Sequence, residues 1–163
     1  MSEARVGLGV DMHRFVDPAD PLQADRPFVL GGVRFPDTPG LAGHSDADAL
    51  AHALADALLG AAGLGDIGEH FPSDDPRYAG VDSLELLATC VARVTASGWR
   101  VASADCTVVA QRPRVRPQRD AMAKRLTDVL GAPVNVKATT PDGLGAIGRV
   151  EGVSCLAVVL LDR

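Results

Sequence analysis

Asp11-Met12-His13 closes a run in which Val6, Leu8 and Val10 alternate with Gly7, Gly9 and Asp11. A period of two predicts a strand. If the backbone stays extended to His13, residues 11 and 13 point the same way. One carboxylate oxygen and one imidazole nitrogen then share a cation. Such a pair alone is more often a solvated Asp beside a surface His, so a further ligand is needed. His52 provides it, in a stretch read as helix with Asp48 and Asp56 one turn on either side. Either carboxylate there can hydrogen-bond the ring nitrogen that does not bind metal and so orient the ring. The same turns are rich in Ala and Leu, which argues against a merely solvated polar face. Asp11, His13 and His52 make a three-ligand set with room for a fourth ligand from substrate, the pattern of a catalytic zinc site. Manganese or cobalt suits the same donors. A cation held so polarises a phosphoryl oxygen.

Two other segments carry groups suited to phosphate. His44 and Ser45 stand just before the helix of His52, where backbone N–H groups favour an anion. The turn 137–152 (KATTPDGLGAIGRVEG) offers Lys137 and Arg149 as cations, Thr139 and Thr140 as hydroxyls, and four glycines for close backbone approach. Asp142 there suits a hydrated magnesium held mostly by phosphate oxygens. Arg112, Arg114, Arg116 and Arg119 read as a solvated loop, and His70 as a loop residue without a partner.

These groups need a frame. The pattern predicts a strand over 5–11, and a hairpin over 27–35 turning at Gly31-Gly32. A helix capped by Ser45 or Asp46 runs to about Leu59, ended by Gly60 or Gly63. Residues 64–80 carry too many turn formers to be regular and read as a functional loop. A helix over 82–97, a strand over 101–110, a helix over 118–130 and strands over 134–139 and 152–161 follow. The expected architecture is α+β, a two-layer sandwich of a mixed sheet with helices on one face, plus a small hairpin. The free sheet face must meet something, and another subunit is the simplest candidate. Residues 1–163 read as one domain.

Composition sets outer bounds. With 47% hydrophobic residues and 23% charged, the 163-residue chain has the makeup of a globular protein. Aromatics are only 4%, so Ala, Val and Leu must fill the core. A net charge of -5 lacks the basic footprint a nucleic-acid binder needs. No run is long enough to span a bilayer and no signal peptide is apparent, so a cytoplasmic protein is expected. Cys90, Cys106 and Cys155, widely spaced, read as buried reduced thiols.

Taken in order, the motifs resemble the 2-C-methyl-D-erythritol 2,4-cyclodiphosphate synthases of the non-mevalonate (MEP) isoprenoid pathway. The resemblance spans Gly9 to Phe15, Gly31 to Pro36, His44 to Ala61 and Gly65 to Pro72. It continues through Asp105 to Pro113, Asn135 to Thr140 and Gly148 to Gly152. It implies a homotrimer with active sites between subunits. It also implies the conversion of 4-diphosphocytidyl-2-C-methyl-D-erythritol 2-phosphate to the cyclodiphosphate and CMP. Zinc would sit on Asp11, His13 and His52, with Asp56 supporting His52, and magnesium or manganese would ride on the substrate diphosphate. His44 and Thr140 would serve the reacting phosphates, and His44 with Ser45 would hold the methylerythritol phosphate. Asp66 and Gly68 would bind the ribose or erythritol part, while Phe71, Pro72, Ser73, Asp74 and Asp75 would line a substrate loop. Ala110, Gln111, Arg112, Pro113, Arg114, Val115 and Arg116, with Ala138, Thr139 and Thr140, would form the cytidine pocket. That reassigns the arginine loop.

Three positions depart from the family pattern: Asp142 in place of Glu, Pro141 in place of Thr, and Ala146 in place of a Phe that helps close a cavity along the trimer axis. Asp142, one methylene short, would reach the second metal through water. Ala146, near Arg149 and Glu151, implies a more open axial cavity and weaker binding of isoprenoid diphosphates. Competing readings are a metallophosphatase, which would release free phosphate, and a trimeric scaffold whose metal is purely structural.

Overall fold

The computed structural model describes residues 3–163. The expected strand is longer than its apolar alternation, running Ala4–Arg14 as β1 and carrying both Asp11 and His13. The hairpin forms as β2 (Pro27–Leu30) and β3 (Val33–Pro39). Gly31 (φ 55) and Gly32 (φ 71) turn it through the left-handed region that a primed hairpin turn requires.

The first helix, α1, runs Ala49–Ala62 and is capped by Asp48, not by Ser45 or Asp46. Gly63 ends it with φ 72. The 64–80 segment contains a short helix α2 (Ile67–His70) and a single 3-10 turn (Pro76–Tyr78). There follow α3 (Ser83–Ala96), β4 (Arg100–Val109), α4 (Arg119–Leu130), β5 (Val134–Thr139) and β6 (Gly152–Asp162). Inside the Gly-rich turn lies one more short helix, α5 (Gly145–Gly148), which the glycines had hidden.

Four strands form a mixed sheet in the order β1-β6-β4-β5, and the hairpin stands apart from it. Only β4 and β5 are parallel; β6 runs antiparallel to both of its neighbours. α1 lies across β1 and β6, with α3 and α4 beside it, so the helices share one sheet face. Leu50, Leu54, Leu58, Leu87, Met122 and Leu126 fill that layer against Val153, Cys155, Ala157 and Val159. The apolar alternation of β1 points the other way. Gly7 and Gly9 face α1, while Val6, Leu8, Val10 and Met12 lie exposed on the far side with Val158 and Leu160. The glycines allow α1 to come so close that a Cβ on Gly9 would sit 1.9 Å from the Ala53 carbonyl oxygen. Among the described residues, no helix is long and apolar enough to cross a membrane.

All three cysteines are buried and free. Burial pushes the Cys90 and Cys106 thiols up to about 12 and Cys155 well above its usual value, so none is a nucleophile at neutral pH. One strained position stands out after α5. Val150 has φ 63, a conformation that costs a β-branched residue more than most, and it is exposed. Val150→Gly should therefore stabilise the chain by about 1 kcal/mol, read as a thermal midpoint raised by roughly 2–4 °C. A lowered midpoint would show that the Val150 side chain contributes more than the strain costs.

Candidate metal centre and substrate clefts

β1 places Asp11 and His13 two residues apart on one side, and α1 brings His52 over them. The Asp11 Oδ2 lies 2.9 Å from His13 Nε2 and 3.1 Å from His52 Nδ1. The two ring nitrogens are 3.3 Å apart. Among the described residues this is the group of three whose ligand atoms all lie within 4.8 Å of one another. Burial alone would push the Asp11 carboxyl up. Hydrogen bonds and charge from His13 and His52 outweigh it and hold the group well below the usual carboxylate range. Burial likewise pulls His13 down, but its hydrogen bond to Asp11 and that carboxylate's charge leave it raised. The His13 Nδ1 donates to the Ala42 carbonyl at 2.7 Å, so Nε2 is the nitrogen that can exchange the proton it shares with Asp11 for a metal ion. One oxygen and two ring nitrogens converging this way, with shared protons that a metal can replace, fit a divalent cation.

The orienting carboxylates expected around His52 are elsewhere. Asp48 is the N-cap of α1 and turns back over its start. There it accepts from Leu50 and Ala51 N–H at 3.1 Å and from Gly31 and Gly32 N–H at 2.9 and 2.6 Å. Its carboxylate ties the hairpin to the helix and makes no hydrogen bond to the His52 ring. Asp56 accepts from the Ile67 N–H at 2.9 Å and so anchors α2. The far nitrogen of His52, Nε2, meets hydroxyls instead: Ser83 Oγ at 2.9 Å and Ser45 Oγ at 3.1 Å. Ser83 was not foreseen. An Asp-Ser pair opening a helix reads as capping and nothing more, and Asp82 does cap α3, accepting from Leu84 N–H at 2.8 Å.

His44 and Ser45 do not sit on a bare helix terminus, because the Asp48 carboxylate already accepts from the Leu50 and Ala51 N–H groups of the first turn of α1. They are held by other means. The Arg26 guanidinium donates to the Gly43 and Ser45 carbonyls, and His44 Nε2 donates to the Asp75 carbonyl at 2.9 Å. Arg26 also had no sequence signal. His70 has partners after all: its Nε2 donates to the Leu64 carbonyl at 2.7 Å, and Arg93 contacts its Nδ1.

Two clefts contain most of the remaining predicted residues. The first, about 570 Å³, is lined by His13, His52, His44, Ser45, Gly68, Phe71, Pro72, Ser73 and Asp74, with Tyr78 and Leu86 as additions. Asp66 and Asp75 belong to its frame rather than its lining. Asp66 caps α2 by accepting from Glu69 N–H at 2.9 Å, and Asp75 caps the 3-10 turn. The second cleft, about 600 Å³, joins Ala110, Gln111, Pro113, Arg114, Val115 and Arg116 to Ala138, Thr139 and Thr140. Arg112 faces a neighbouring hollow with Phe15 and Val150 instead. The two clefts share no lining residue. Asp142, Ala146 and Arg149 line neither. Asp142 accepts from the Thr140 hydroxyl at 2.9 Å, and Arg149 pairs with Glu151 at 2.7 Å. Lys137 pairs with Asp105, so the cations of the Gly-rich turn do not converge on one phosphate position.

The sequence profile of the YgbB family matches residues 4–162. The chain belongs to the YgbB family. Named relatives agree over nearly the whole length. The 2-C-methyl-D-erythritol 2,4-cyclodiphosphate synthase of Moorella thermoacetica is 53% identical over 163 residues, covering 98% of this chain and 96% of its own. That of Bordetella petrii is 51% identical over 162 residues, with 98% and 96% covered. Among solved structures, a 2C-methyl-D-erythritol-2,4-cyclodiphosphate synthase in a CDP-bound form superposes with TM-score 0.84 at 38% identity. The match covers 97% of this chain and all of that one, 100%. The bifunctional IspDF of Campylobacter jejuni superposes with TM-score 0.92 at 40% identity over 100% of this chain and 43% of its own. In that protein the YgbB-family fold is one part of a longer chain.

Proposed function

We infer that this chain is a 2-C-methyl-D-erythritol 2,4-cyclodiphosphate synthase of the non-mevalonate isoprenoid pathway, a phosphorus–oxygen lyase. It converts 4-diphosphocytidyl-2-C-methyl-D-erythritol 2-phosphate to the cyclodiphosphate and CMP. The observation that carries this reading is the convergence of Asp11, His13 and His52, with both histidines lining a cleft, in a chain about half identical to named synthases along its full length. An oxygen of the 2-phosphate bonds to the β-phosphorus while the bond from that phosphorus to the bridging oxygen breaks, and the bridging oxygen leaves on CMP. No side-chain nucleophile is needed. The three ligands would hold zinc, or manganese or cobalt, which supplies Lewis-acid charge to phosphoryl oxygens when bound. Magnesium or manganese would accompany the substrate diphosphate.

The chain's own groups position and neutralise. His44 and Ser45, fixed by Arg26 and the Asp75 carbonyl, hold the methylerythritol phosphate. The 67–75 segment covers it, with Phe71 against Tyr78 giving an apolar wall (ring centroids 5.3 Å apart). The second cleft, walled by the 110–116 loop and Ala138 to Thr140, takes the cytidine, with Thr140 reaching phosphate. A CDP complex of a structural neighbour supports a cytidine-nucleotide ligand. Because the two clefts are separate within one chain, a complete site takes the metal half from one copy and the cytidine half from another. The exposed strip of Val6, Leu8, Val10, Met12, Val158 and Leu160 gives copies a surface to share, and a homotrimer satisfies both needs. The whole chain acts as one domain, in the cytoplasm. Ala146 leaves the axial cavity of that trimer more open.

Incubation with the cytidyl substrate tests the reading. CMP and cyclodiphosphate should appear in equal amounts, stop with chelator, and resume on adding zinc and magnesium. Free phosphate in place of the cyclic product would overturn it in favour of a metallophosphatase.

A further inference from the structure

The hydroxyl of Ser83 is buried behind the metal centre, on no surface a substrate reaches, with an acceptor on one side and a ring nitrogen on the other. Its proton can be assigned. The Asp46 carboxylate takes the Ser83 hydroxyl hydrogen on Oδ1 and the Ser83 backbone N–H on Oδ2 at 3.2 Å. An ionised carboxylate only accepts, so the hydroxyl must donate to it. The Asp48 N–H, at 3.1 Å from Asp46 Oδ1, holds the carboxylate in that pose. The Ser83 oxygen therefore turns a lone pair to His52 Nε2, 2.9 Å away. Ser45 Oγ sits 3.1 Å from the same nitrogen and accepts the Ala47 N–H; since the Ser83 proton is on Asp46, the Ser45 hydroxyl can donate to Ser83 Oγ at 3.3 Å and not to the ring.

We propose that Asp46 and Ser83 are positioning residues that, in the metal-loaded protein, fix the proton of His52 on Nε2, leaving the Nδ1 lone pair aimed at the point shared with Asp11 and His13. The inference rests on the metal-centre reading above and goes beyond its ligands. In the opposite tautomer Nδ1 would carry the proton toward Asp11 and could not ligate. The Asp46–Ser83 pair disfavours that tautomer by offering Nε2 an acceptor and no donor. It does for His52 what the Ala42 carbonyl does for His13.

The test measures zinc affinity by chelator competition on the full chain, without substrate. Ser83→Ala, which removes the acceptor, should weaken zinc binding roughly 10–100-fold. Asp46→Ala, which frees the Ser83 hydroxyl to donate to Nε2, should weaken it similarly. Ser83→Thr, which keeps the hydroxyl, should stay within a few-fold of wild type. A spectroscopic readout separates positioning from packing. In the cobalt-loaded protein, the exchangeable Nε2 proton of His52 should give a slowly exchanging, shifted signal in wild type and Ser83→Thr. The signal should be lost to fast exchange in Ser83→Ala. Wild-type affinity and an unchanged signal in Ser83→Ala would overturn the proposal while leaving the metal centre intact. Failure of the wild-type chain to bind zinc at all would instead sink the metal-centre reading.

Discussion

His52→Ala is expected to abolish zinc binding and lower turnover by roughly 10³-fold or more, while the protein stays folded. The loss is large because one of three protein ligands goes and nothing nearby replaces it. Asp48 is engaged with four backbone N–H groups, and Asp56 is held on Ile67. The fold survives for local reasons. Ala is the best helix former in the middle of α1. Asp11 and His13 keep their own contact at 2.9 Å, and the Ser45 and Ser83 hydroxyls, 3.3 Å apart, can pair with each other. Metal analysis, steady-state CMP release and a thermal melt on the same preparation check this. A folded, metal-replete and active His52→Ala would refute the centre.

The largest effect on stability is expected at Gly9. A methyl there would lie 1.9 Å from the Ala53 carbonyl oxygen and 2.7 Å from the Ala57 nitrogen, both backbone atoms of α1. Neither can swing aside as a side chain would, so Gly9→Ala must lift the helix off the sheet. The cost should be about 3 kcal/mol or more, a fall in thermal midpoint of roughly 10 °C. The damage should extend to function, because His52 rides on the same helix beside Ala53. Gly60→Ala is the matched control. It lies in the same helix, is exposed and meets nothing within 4 Å, so it should gain about 0.5–1 kcal/mol. Equal melts for wild type and Gly9→Ala would mean that the helix–sheet contact is looser than the geometry states.

Much of the centre was legible because its ligands obey the two elementary periods. Asp11 and His13 share a strand face at a spacing of two, and a run rich in Ala and Leu between helix-start and helix-stop residues identified the helix that carries His52. The misreadings have physical causes. The rule that residues four apart share a face holds inside a helix, but Asp48 is the N-cap, with φ -68 and ψ 92, and its side chain leaves that face. Helical side chains also lean toward the N-terminus. The His52 ring accordingly meets Ser45, ahead of the helix, and Ser83 from α3. Ser83 and Arg26 reach the site from other elements, and contacts of that kind leave no trace in local spacing. Of the β1 alternation, the sequence predicted the strand but not its orientation. The glycines, not the valines and leucine, turn inward, because α1 needs close approach more than apolar bulk.

The most direct test of the central claim is anomalous diffraction at the zinc edge from crystals grown with zinc and CDP. The account predicts a peak bounded by Asp11 Oδ2, His13 Nε2 and His52 Nδ1, with its remaining coordination supplied by a phosphate oxygen or water. A peak elsewhere, or one closed off by a fourth protein ligand, would contradict it.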